Sequence, residues 1–151
     1  MRPVFAALAV LVLAACSPSQ EPVQPEVPSD EPAPVLAGVD LGQPVRALGT
    51  EPFWNVELTG TEMVFTGVDA PEQRAPQPNP VAQGTTATYE SETADGTDLR
   101  VTLIATECSD GMSDRTWPLT AMVKVGDRDL TGCAASAAAV MSTGESGPVV
   151  E

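Results

Sequence analysis

Three cysteines and a short acidic segment are where this chain could do chemistry. Cys16, Cys108 and Cys133 supply the thiols, and none of them stands in C-x-x-C spacing, so a redox-active pair is not indicated. Glu51, Asp110, Ser113 and Asp114 supply oxygen. Hard oxygens suit calcium, but the segment from Asp110 to Asp114 lacks the full Asp-x-Asp-x-Asp-Gly pattern, so no metal ion is expected. Asp and Glu alone can run glycoside cleavage, yet no spacing here selects a pair, and a domain of about 90 residues leaves little room for a substrate cleft. The sequence has no His, which removes Ser-His-Asp and Cys-His catalysis and His-ligated zinc. Neither enzymatic activity nor a cofactor is expected.

Charge narrows the partners. Lys and Arg total 7 against 21 for Asp and Glu, a formal net charge of -14. Such a surface repels phosphate backbones, which excludes nucleic acid, and gains nothing from anionic headgroups. It attracts basic proteins and raises their on-rate, although the same charge also simply keeps a protein soluble.

The N-terminus reads as an address. Arg2 precedes an uncharged apolar run from Val4 to Leu13, ending in Leu13-Ala14-Ala15-Cys16. Ten residues span about 15 Å as a helix, half of a hydrocarbon core, so a cleaved signal peptide over 1–15 fits better than a membrane span. The segment resembles a bacterial lipoprotein signal. That resemblance implies cleavage before Cys16, thioether lipidation of its sulfur and acylation of its new amino group. Two or more acyl chains hold a protein firmly to a membrane. Ser17, rather than Asp, follows the lipidated Cys. The expected location is the cell envelope, favouring the outer membrane facing the periplasm, with the inner membrane as the alternative.

With Cys16 committed to lipid, Cys108 and Cys133 remain, and two cysteines in a small periplasmic domain are expected to form a disulfide. A loop of that length gives about 3 kcal/mol in the chain-entropy picture, a large share of a small domain's stability.

Residues 16–44 hold the lipidated Cys and a Pro- and Glu-rich stretch with no aromatic, expected to be a disordered tether reaching several tens of Å from the bilayer. From Val45 the composition changes. Trp54, Val56 and Leu58 alternate with Asn55 and Glu57, as in a half-buried strand, and Thr59-Gly60 turns the chain towards Glu62–Thr66. Residues 69–83, rich in Pro, read as a loop. Thr85–Thr93 reads as a strand, and Ala94-Asp95-Gly96-Thr97 is a hairpin signal returning into Leu99, Val101 and Leu103. Leu119, Ala121, Val123 and Val125 form another alternating set, turned by Gly126-Asp127 towards Cys133. The expectation is an all-β domain over 45–134, a small antiparallel barrel or sandwich closed by one disulfide. Ala134–Met141 suits a short helix, within a flexible tail over 135–151.

Two blocks carry a family resemblance. Gly49-Thr50-Glu51-Pro52-Phe53-Trp54 is one. The other is Cys108-Ser109-Asp110-Gly111-Met112-Ser113-Asp114, with Trp117-Pro118 and Leu130-Thr131-Gly132-Cys133 after it. They resemble the G-[TN]-E-P-F-W and C-x-D-G-M-S…[YW]-P…L-x-G-C blocks of a family of uncharacterised bacterial envelope lipoproteins. Trp117 stands where Tyr is more frequent. The resemblance implies an all-β domain, found in places beside the small β domain of the META group of heat-shock proteins, and no established activity. Each block also has a structural explanation: Pro52 fixes the entry to a strand, Phe53 and Trp54 fill the core, Glu51 accepts turn amides, Asp110-Gly111 is turn chemistry, and Pro118 restricts the chain before the next strand. The rival reading is a binding rim of Glu51, Asp110, Ser113 and Asp114.

The expected function is therefore a membrane-anchored envelope lipoprotein with a non-enzymatic binding or accessory role. Small, lipidated, disulfide-containing β barrels also include envelope inhibitors of lysozyme, so inhibition of a basic cell-wall hydrolase is the alternative, by analogy of architecture alone.

Overall fold

The alternating segments become strands of one curled sheet. The structure, a computed structural model, describes residues 32–142. Its elements run β1 (Val35–Leu36), β2 (Val39–Asp40), β3 (Val45–Thr50), β4 (Phe53–Leu58), β5 (Glu62–Gly67), β6 (Ala70–Pro76) and β7 (Val81–Gln83). They continue with β8 (Thr86–Glu92), β9 (Asp98–Ile104), β10 (Cys108–Ser109), β11 (Thr116–Trp117), β12 (Leu119–Val125), β13 (Arg128–Ser136) and α1 (Ala137–Met141). Nine strands join in the order β6-β5-β4-β3-β13-β12-β9-β8-β7. All their pairings are antiparallel, and the sheet curls into a half-barrel. No described helix is long and apolar enough to cross a membrane.

The inward faces make the core. Trp54, Val56 and Leu58 of β4 meet Met63 and Phe65 of β5, while Leu99, Val101 and Leu103 of β9 face Leu119, Ala121 and Val123 of β12. Pairing of β3 with β13 brings the two ends of the domain together, with Leu48 opposite Cys133 and Ala47 opposite Ala134. Residues facing out from this pair start a second, smaller core on the convex side. There Cys133 and Ala135 lie under Trp117 and Ala139, with Leu48, Cys108 and Val140 against them.

Five expectations are corrected. The domain starts before Val45: β1 and β2 form a hairpin whose Leu36, Val39 and Leu41 are buried in the main core. Its two-residue turn, Ala37-Gly38, has both φ values positive, as a tight hairpin requires. The prolines hide an apolar pattern that begins at Val35, so the tether assignment fails over at least 35–44.

The loop expected over 69–83 contains two strands, β6 and β7. They are the two edges of the sheet, where proline is tolerated because one side of the strand has no hydrogen-bond partner. Ala75 alone of β6 is buried.

The helix expected from Ala134 starts at Ala137, since Ala134 and Ala135 are held in β13 by pairing with Ala47 and Arg46. Ser136 caps it, its Oγ accepting from the Ala139 N–H at 3.1 Å. Residues 135–142 are thus part of the fold rather than a free tail; the remaining tail residues lie outside the described residues, as do the signal peptide and Cys16.

Phe53, expected in the core, is 52% exposed. Strand alternation turns Phe53 to the face opposite Trp54, which is 4% exposed.

Candidate functional site

The two motif blocks converge on one corner of the sheet. Between Ala105 and Pro118 the chain leaves β9 and crosses the convex face of β13, carrying the short β10–β11 hairpin, in which Cys108 pairs with Trp117. Cys108 is bonded to Cys133 of β13, with Cα atoms 5.4 Å apart and a sequence separation of 25, as expected for the pair. The far end of this strap reaches the end of β3, where the Thr50 hydroxyl donates to the Asp110 carbonyl oxygen at 3.1 Å.

Asp110 organises the strap. Its Oδ1 accepts from the backbone N–H groups of Met112 (3.0 Å) and Ser113 (2.8 Å). Its Oδ2 accepts from Ser113 Oγ (2.8 Å) and Trp117 Nε1 (3.2 Å). Four donors fill the roughly four acceptor positions of a carboxylate. Partial burial works against the charged form, but the donors from Ser113, Met112 and Trp117 outweigh it and hold the Asp110 carboxyl below the ordinary range. Gly111, at φ 71°, makes the tight turn between these donors. Arg115 lies 5.5 Å from the Trp117 ring centroid and donates to the Ser142 carbonyl at 3.4 Å, tying strap to helix end.

The first block is held by Trp54. A Cβ on Gly49 would sit 2.2 Å from the Trp54 Nε1, and one on Gly132 would sit 2.0 Å from the Leu48 carbonyl oxygen and 2.9 Å from Trp54 Cζ2. The indole therefore lies on two glycines, one from each block. The Glu51–Pro52 peptide is cis.

Motif residues thus fall into two groups. Gly49, Trp54, Cys108, Asp110, Gly111, Ser113, Trp117, Gly132 and Cys133 are used in holding the strap and indole, and Pro118 lies in the bend between β11 and β12. Glu51, Pro52, Phe53 and Met112 are exposed. Glu51 does not accept turn amides; its carboxylate has no hydrogen-bond partner among the described residues, and it stands one residue beyond Thr50. Of the rim expected from Glu51, Asp110, Ser113 and Asp114, Asp110 and Ser113 are bonded to each other, and Glu51 and Asp114 point to solvent from the neighbouring turn and strap. No group of three or more Cys, Asp or Glu among the described residues is placed to hold a metal ion.

Val68 was not foreseen. It is 69% exposed in the β5–β6 turn, and its N–H donates to the Phe53 carbonyl at 3.2 Å. Met112 is 68% exposed. The signal was present as an apolar residue inside a Gly-Val-Asp turn, but only the pairing of β4 with β5 places it beside Phe53. Two shallow depressions lie elsewhere, one of about 500 Å³ between β6 and the end of β8, the other of about 310 Å³ over β8, β9 and Lys124.

No family model, no curated protein and no solved structure matches this chain.

Proposed function

We propose that this chain is a lipid-anchored lipoprotein of the bacterial cell envelope, placed at the outer membrane facing the periplasm, whose β domain is a non-enzymatic binding or accessory module. The anchor reading rests on the apolar run and Leu13-Ala14-Ala15-Cys16. One observation carries the binding reading. Within the two blocks Asp110, Ser113 and Trp117 are consumed inside the fold, Asp110 by four donors, while Glu51, Phe53 and Met112 are presented with no structural task. A carboxylate saturated by internal donors is a poor general base or metal ligand, and exposed apolar side chains are what a contact surface needs. The test is co-purification of the native lipidated protein from gently solubilised envelopes. A stoichiometric partner supports the reading; a protein that elutes alone, at its monomer mass, from crosslinked and uncrosslinked envelopes contradicts it.

A second reading, inhibition of a basic cell-wall hydrolase, is favoured by the net charge of -14. Adding the purified protein to c-type lysozyme and following cell lysis decides it, unchanged lysis rejecting the idea.

A further inference from the structure

Taking the binding-module reading as given, we infer that Phe53, Val68 and Met112 form a docking surface for a basic segment of a partner protein that carries an apolar side chain. Three chain segments build it. Phe53 is directly opposite Thr50 across the β3–β4 pair, so the two side chains share the convex face. Thr50 is bonded to Asp110, two residues before Met112, and Val68 is bonded to Phe53 through the backbone. Three of the large exposed hydrophobic residues of the domain thus flank one pair of contacts, and the backbone beneath them is fixed by strand pairing, the disulfide and the Asp110 clamp. A rigid apolar patch loses little freedom on binding.

Charge selects the occupant. Glu51, Asp69 and Asp114 are exposed beside the three apolar residues, and positions 49–54, 67–70 and 108–114 contain no Lys or Arg. Elsewhere four acids are paired: Arg46 pairs with Glu57, Arg74 with Glu62 and Glu72, and Arg100 with Glu90. None of the described ion pairs involves Glu51, Asp69 or Asp114. An apolar centre with an acidic rim repels a second copy of itself and an anionic lipid surface, and complements Lys and Arg around an apolar tip.

The experiment uses the full-length lipidated protein in living cells, with a photo-crosslinking phenylalanine analogue placed singly at Val68 or Met112. Val81 and Met122, exposed on other strands, serve as controls. Both patch positions are expected to capture the same protein, through a segment that sequences as rich in Lys or Arg with an apolar residue among them; the controls are expected to miss it. Combining Glu51→Lys, Asp69→Lys and Asp114→Lys is expected to lower the yield about tenfold while leaving the disulfide and protease resistance intact. Capture of lipid, of a second copy, or of an uncharged or acidic segment at the patch overturns the inference, as does capture at Val81 and Met122 instead, which would leave the binding-module reading standing. No protein captured at any of the four positions counts against both.

Discussion

Thr50 and Asp110, 60 residues apart in sequence, are joined by a hydrogen bond from the Thr50 hydroxyl to the Asp110 carbonyl. That bond links the two motif blocks across the convex face of the sheet. It explains why one block ends a strand and the other forms a turn: the strap must land where β3 gives way to the Glu51–Pro52 turn.

The first prediction concerns Asp110. Its carboxyl titrates below the ordinary carboxylate range, so its contribution is complete above that range and is lost as pH falls through the lower folded-state value. Asp110→Asn should therefore destabilise the domain at neutral pH, by about 1 kcal/mol for a part-buried network left half-satisfied and open to solvent. The gap between wild type and variant, measured as urea midpoints, should narrow as pH falls below about 4. A gap that is constant with pH would show that the carboxylate is not the acceptor.

Two glycines should differ sharply. Ala at Gly132 drives a Cβ into the Leu48 carbonyl, where backbone must move, so Gly132→Ala should cost about 3 kcal/mol or more, read as a fall in melting temperature. Gly111 has positive φ but open space around it, and Gly111→Ala should cost about 1 kcal/mol. Equal losses would refute the close approach of β3 and β13.

Tyr89 is the sole tyrosine of the chain, fully buried, and its hydroxyl has no hydrogen-bond partner among the described residues. Burial pushes its ionisation up to about 12. Because the folded value is raised, stability that Tyr89 contributes below its ordinary value is lost as pH climbs from about 10 towards 12. Phenolate absorbance should stay flat until then and rise together with unfolding. Tyr89→Phe, which removes an unsatisfied polar atom, should be neutral or stabilising by up to about 1 kcal/mol. A loss above that would mean that the hydroxyl is satisfied in solution.

Reducing the Cys108–Cys133 bond should remove about 3 kcal/mol and lower the melting temperature by roughly 10–20 °C. The strap should loosen first, since β10 and β11 pair only with each other outside the main sheet. Hydrogen exchange resolved by residue would register this as lost protection at 108–117 before β12 and β13; simultaneous loss would count against it.

How much of this was legible in the sequence depended on whether the signal was local. Period-2 alternation placed Trp54, Val56, Leu58, Leu99, Val101 and Val123 inward, and the Asp95-Gly96 turn joins β8 to β9 as its composition implies. Edge strands were invisible, because β6 buries one residue and is interrupted by prolines that only an edge tolerates. The hairpin at Val35–Asp40 was masked by the prolines around it. At the site, Asp110-Gly111 was legible as turn chemistry, but Trp117 as a donor to Asp110, Gly132 as a floor for Trp54, and Val68 as a neighbour of Phe53 all depend on pairings between distant segments.

The claim on which the functional account depends is the anchor, and intact-mass and peptide mass spectrometry of the protein from native envelopes tests it most directly. The account predicts a chain beginning at Cys16, with a diacylglyceryl thioether and an acylated amino group, and with Cys108 and Cys133 joined. A chain that retains Arg2 and its apolar leader, or that begins at an unmodified Cys16, would contradict it.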